Sequence, residues 1–170
     1  MRIPPISRHL AVLGFIGTLV PVASGQCDRW QQRIRCELTT DLDVRTHRFT
    51  GTEKLSYTNN SPDTLRQLFF HLYFNAFKPG SEMDERSRAI VDPDPRVGDR
   101  IALLGPQEVG DLHCTNMLQD GKAVGSEELG TILRVKLARP VLPGKSTTLT
   151  FNFNGQVPVQ IRRSGRNNAE

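Results

Sequence analysis

From Ile34 the chain alternates strictly: Ile34, Cys36, Leu38, Thr40, Leu42 and Val44 fall on one side, Arg35, Glu37, Thr39, Asp41, Asp43 and Arg45 on the other. A sustained period of two predicts a β-strand with one inward and one solvated face. A turn at Thr46 and His47 follows. Phe49, Glu53, Leu55 and Tyr57 then alternate with Thr50, Thr52, Lys54, Ser56 and Thr58, which predicts a second strand in which Gly51 marks a bulge. Asn59-Asn-Ser-Pro-Asp63 is a dense turn signal. It leads into Leu65 to Phe77, the densest apolar stretch beyond the amino-terminal run, with four of the eight phenylalanines. Leu68, Phe70, Leu72 and Phe74 share one face, so the stretch reads as a central strand. Phe69, Tyr73 and Phe77 cannot all be absorbed by the same core, and they predict an exposed apolar patch that marks a partner site.

Between Lys78 and Gly110 the period breaks at Pro79-Gly80, Asp92-Pro-Asp-Pro95, Gly98 and Gly105-Pro106. A long loop over about 78–110, with one helical turn around Met83 to Ala89, is expected; loops of this length usually carry function or pack on a neighbour. Leu112 to Leu118 predicts a further strand, and Asp120-Gly121 is a tight-hairpin signal. Leu133, Val135 and Leu137 alternate with Ile132, Arg134 and Lys136; Pro143-Gly144 makes a turn; Leu149, Phe151 and Phe153 then alternate with Thr148, Thr150 and Asn152. These read as two successive antiparallel strands. Many short strands joined by Gly, Pro and Asx turns, with little helical period, predict an all-β fold, an antiparallel β-sandwich.

The first 25 residues are of another kind. Arg2 and Arg8 precede an apolar run from Leu10 to Val22, then Ala23-Ser24-Gly25. This is the pattern of a secretory signal peptide over 1–25, and the run is shorter than the roughly 20 residues that span a bilayer. A secreted or periplasmic chain over 26–170, with no membrane anchor after cleavage, is the expectation. Without Arg2 and Arg8 the basic residues fall to 20 against 18 acidic ones, a net charge of +2, and no basic stripe with interleaved aromatics occurs. Nucleic acid is therefore excluded as a partner class. Arg162, Arg163 and Arg166 read as a solvated tail. Cys27, Cys36 and Cys114 allow at most one intrachain disulfide, with the pairing left open. On its predicted inward face Cys36 reads as a small buried thiol.

Tyr57-Thr-Asn-Asn-Ser-Pro-Asp-Thr-Leu65 running into Phe70-His-Leu-Tyr-Phe-Asn-Ala-Phe77 resembles the amino-terminal sandwich domain of the aminopeptidase N-type zinc metallopeptidases, the gluzincins. Gly130-Thr-Ile-Leu133, Pro140-Val-Leu-Pro-Gly144 and Phe153-Asn-Gly-Gln-Val-Pro-Val-Gln-Ile-Arg-Arg-Ser-Gly-Arg166 are similar to the strand, turn, strand and exit segment of the same domain. The resemblance covers roughly Trp30 to Glu170. It implies a domain that packs on, and shapes the substrate side of, a zinc-bearing catalytic domain that is missing here, the present chain being a fragment of such a peptidase.

The chemistry of that family needs His-Glu-x-x-His on a helix, where two histidines one turn apart bind zinc and the glutamate acts as base. None of the four histidines precedes a glutamate. His47, His71 and His113 fall on separate strands or turns, and His113 and Cys114, adjacent on a strand, point to opposite faces. Asp92, Asp94 and Asp99 do not match a calcium loop. No catalytic, cofactor-binding or metal residue is assigned in this chain, and zinc is implied for the parent family's catalytic domain alone. A stand-alone secreted sandwich that holds a protein or peptide is the other reading.

Overall fold

The computed structural model describes residues 30–90, 98–159 and 165–167. The proposed signal peptide, Cys27, Asp92, Asp94, Arg162 and Arg163 lie outside them. The described residues form eight strands: β1 (Arg33–Asp43), β2 (Arg48–Thr58), β3 (Leu65–His71), β4 (Asp111–Gln119), β5 (Lys122–Ala123), β6 (Ser126–Leu129), β7 (Ile132–Val141) and β8 (Ser146–Gln156). They build a five-stranded sheet in the order β1-β2-β8-β4-β5 and a three-stranded sheet in the order β3-β7-β6, every pair antiparallel. The fold is an all-β sandwich, as the alternation predicts.

The core is where the two inner faces meet. Leu68 and Leu72, Leu133, Val135 and Leu137, Leu149, Phe151 and Phe153 are buried there, and Phe70 lies edge-on to Phe151 at 5.8 Å. Side chains of this size stabilise by roughly 1.5–3 kcal/mol each when fully buried. Gly51 is not a bulge: it pairs regularly with Thr40 on one side and Phe153 on the other. Its missing side chain makes room, since a Cβ there would stand 2.3 Å from the Phe153 ring and 2.3 Å from the Thr39 carbonyl. The bulge sits instead in β4, between Thr115 and Leu118, where Asn116 takes φ 55°. The extra residue shifts the parity, so that Leu112 and Cys114 precede it on the inner face and Met117 and Gln119 follow it there. Gly51→Ala is expected to cost about 1–3 kcal/mol through overpacking, whereas Gly125→Ala, with open space around it, stays within about 0.5 kcal/mol in urea melts.

Three expectations are corrected. Leu65 to Phe77 is not one central strand: β3 ends at His71, lies at the edge of the smaller sheet, and gives way to a 3-10 helix over Tyr73–Phe77. Phe69 and Tyr73 are exposed as expected, but Phe77 is buried in a satellite cluster with Ile101, Met83 and Leu104. That cluster lies beneath the long loop, whose helix α1 (Glu82–Ala89) starts where Ser81 accepts a hydrogen bond from the Asp84 N–H. Finally, β7 and β8 are not paired with each other. The turn at Pro143-Gly144 is an arch that carries the chain from one sheet to the other.

Buried amides hold the arches. Asn59 donates from Nδ2 to the carbonyls of Asp63 and Val141 at 2.7 and 2.9 Å, and its Oδ1 accepts from the N–H and hydroxyl of Ser61. Asn75 binds both backbone groups of Leu112 and the carbonyl of Gly130, tying the 3-10 helix to β4 and to the β6–β7 hairpin. Gln119 bridges the sheets, donating to the Arg139 carbonyl and accepting from the Arg139 N–H.

Candidate functional site

The larger sheet is wider than its cover. β6 lies over β4, where Glu128 meets His113, and Phe70 of β3 lies over β8, so the smaller sheet ends before β1. The whole of β1 is exposed. Its inward row, which the alternation assigns to the core, keeps Ile34 53%, Leu38 61% and Leu42 50% accessible, and Cys36 is exposed rather than a buried thiol. The pattern is right about which side is apolar; no strand of the described residues covers it.

The uncovered strip is one wall of a cleft of about 470 Å³. Leu38 and Leu42 line it from β1, Phe49 and Glu53 from β2, Phe151 and Phe153 from β8, and Phe70 and Leu72 from the β3 side. Glu53 is the single carboxylate, lysine or arginine among its lining residues, His71 and Cys114 being the other titratable groups. It stands in register with Leu38 on one side and Phe151 on the other, inside the row Phe49, Gly51, Leu55, Tyr57. No ion pair forms to Glu53 among the described residues. The Cys36 thiol beside it has its pKa raised, first by partial desolvation and then by the hydrogen bond and charge of Glu53.

The second concentration of polar groups spans the two sheets at the opposite side. The His113 ring meets Asp111 Oδ1 through Nε2 at 3.0 Å and Glu128 Oε2 through Nδ1 at 2.7 Å, and Lys78 pairs with Asp111. This clamp ties β4 to β6. Among the described residues no group of three or more His, Cys, Asp and Glu side chains could hold a metal ion. His47 sits at a turn with φ 57°, and His71 stacks on Tyr73 at 5.1 Å; neither meets His113. Burial drives the Cys114 thiol up to about 11, helped by the charges of Glu128 and Glu53, which makes it a poor nucleophile at neutral pH. Cys36 and Cys114 are separated by β2 and β8, three inter-strand steps of about 4.8 Å, too far to bridge.

No family model matches the chain, and no curated protein matches it. Among solved structures the similarity is to M1 zinc metallopeptidases. A two-domain variant bound to L-tryptophan shares 11% identity at a TM-score of 0.49 over 78% of this chain and 22% of that one. An M1 zinc metallopeptidase from Deinococcus radiodurans shares 12% at a TM-score of 0.49 over 79% and 24%. A variant from the same organism, bound to a Tyr-Ser-Ala substrate, shares 11% at 0.48 over 77% and 22%. The chain thus spans less than a quarter of the length of these structures.

The residues of the sequence motifs have structural work. In the stretch that carries the resemblance, Asn59, Ser61, Leu68, Leu72, Asn75 and Phe77 are buried. Glu53 is the residue that sequence reading passed over. Its signal was present: a carboxylate at an inward position of an apolar row. Asp120, in the tight hairpin where both Asp120 and Gly121 have positive φ, accepts from the Thr148 N–H, the Thr147 hydroxyl and Arg139. The Thr148 hydrogen bond first, then those of Thr147 and Arg139, hold its carboxyl below the usual range against some desolvation. A depressed folded pKa contributes stability above the unfolded value and loses it as pH falls through the folded one. Asp120→Asn should therefore destabilise at pH 7, with the gap to the parent chain closing in urea melts carried out below about pH 4.

Proposed function

We propose that this chain is the non-catalytic amino-terminal sandwich domain of a secreted, aminopeptidase-like zinc metallopeptidase, and that it packs on and shapes the substrate side of the catalytic domain. One observation carries the reading. The segments resembling that family take part in this sandwich, with Tyr57 to Phe77 supplying the Asn59 arch, β3 and the Asn75 staple, and Gly130-Leu133, Pro140-Gly144 and the segment from Phe153 supplying the start of β7, the arch after it and the end of β8. Those segments work as scaffold, and function resides in sites rather than in folds. The exposed apolar row of β1 and the exposed Phe69 and Tyr73 supply surface for a neighbour. No helix of the described residues is long and apolar enough to cross a membrane. Export with cleavage before Gln26 belongs to the same proposal, and an exported chain that retains Met1 in mass spectrometry would count against it.

The test pairs the purified chain with a separately produced catalytic domain of this peptidase type that carries His-Glu-x-x-His. Co-elution as a one-to-one complex, with altered peptide turnover by the catalytic partner, is expected. The chain alone should hold no stoichiometric zinc and hydrolyse no aminoacyl substrate. One zinc per chain in elemental analysis, lost to a chelator together with aminopeptidase turnover, would overturn the reading.

A further inference from the structure

We propose that the cleft over β1 and β2 receives one extended polypeptide strand of a partner, which pairs with the free edge of β3 and places a lysine or arginine over Glu53. This occupancy does not depend on the partner being a peptidase.

Three observations meet at this place. β3 pairs with β7 on one side, and among the described residues no strand pairs with its other side. That edge offers free backbone donors and acceptors, the template for strand addition. The edge faces the cleft, since Phe70 and Leu72 line it together with Leu38, Leu42 and Phe49. A strand laid there at the ladder spacing of about 4.8 Å extends the smaller sheet by one step, from β3 over β8 to a place over β2 and its Glu53, about 10 Å above the larger sheet, with the exposed row of β1 along its outer flank. Alternation then decides its composition: every second residue must be apolar to meet Phe49 of β2 and the flanking Leu38 and Leu42 of β1. The exception is set by Glu53. Covering this carboxylate without a cation would strip its water for no return, whereas a basic side chain reaching it over apolar walls gains a charge-assisted contact in a low dielectric. The occupant is thus an alternating strand with one basic residue on its inward side.

The probe is a synthetic heptapeptide alternating valine with threonine, with lysine at the central valine position, titrated into the purified full chain and followed by amide chemical shifts. Saturable binding that perturbs β3 and β1 is expected, at least tenfold tighter than for the same peptide with glutamate in place of lysine. Glu53→Lys should reverse that preference, and Glu53→Gln should abolish it while leaving the far-ultraviolet spectrum unchanged. A lysine peptide N-methylated at alternate residues, unable to join a ladder, should lose binding. Equal binding of the lysine and glutamate peptides, or undiminished binding of the N-methylated one, would overturn the proposal in favour of an unspecific apolar cleft. So would the absence of any binding, or sedimentation showing that a second copy of the chain fills the face.

Discussion

Phe151→Ala should cost about 3–5 kcal/mol in denaturant melts, and Thr150→Ala, one residue earlier on the same strand, less than about 0.5 kcal/mol. Phe151 is 6% exposed on the central strand of the larger sheet, with Phe70 of the smaller sheet edge-on to it. Removing its ring empties the space between the sheets at the place where Leu149, Phe153 and Val135 also converge, so collapse around the cavity is limited. Thr150 points to the other face, where neither core nor cleft depends on it. Equal losses for the two substitutions would mean that the faces of β8 are inverted.

Asn59→Ala is expected to cost about 2–4 kcal/mol, against less than about 0.5 kcal/mol for Asn60→Ala next to it. The side chain of Asn59 is fully buried and reaches Asp63, Val141 and Ser61, while its backbone exchanges hydrogen bonds with Lys145 and Gly144. Alanine leaves the Val141 carbonyl without this donor in a site that water does not enter, and each such orphan costs roughly 1–3 kcal/mol. Asn60 is exposed and binds the Gln31 carbonyl from a position that water can replace. Thermal or urea melts of the two variants check the contrast directly.

Strand positions were legible because a period of two is a local property: β1 and β2 fall where alternation places them to within a residue or two, and β7 and β8 contain the alternating rows and run up to four residues beyond them. Partnership was not, because alternation names the apolar side of a strand and says nothing of what faces it. The row of β1 reads like any core row, and its exposure follows from the narrowness of the opposite sheet. Pro143-Gly144 reads like a hairpin, since a turn signal does not specify whether the chain returns beside itself or crosses to the other layer. Phe77 was misplaced because a strand pattern was carried past His71, where Leu72 leaves the ladder and the 3-10 helix begins. Asn59 lies in a turn signal and Asn75 in a stretch that reads as strand, and the burial of both depends on contacts far along the chain. The expected lack of catalytic residues came from motifs that are absent; the cleft with its lone carboxylate is a product of packing.

The position of β8 has a consequence for how this chain acquires its structure. Among the described residues β8 is the last strand in chain order, yet it is the middle strand of the larger sheet, inserted between β2 and β4 with pairs such as Leu55 with Leu149 that bring together distant parts of the sequence. During synthesis, everything up to Val141 can assemble no more of that sheet than two separate hairpins, β1 with β2 and β4 with β5. Closing so large a loop is slow, and until then the apolar sides of both hairpins are open to other chains. A ribosome stalled before Ser146 would therefore hold an aggregation-prone chain, and release of β8 is the step on which closure of the larger sheet depends.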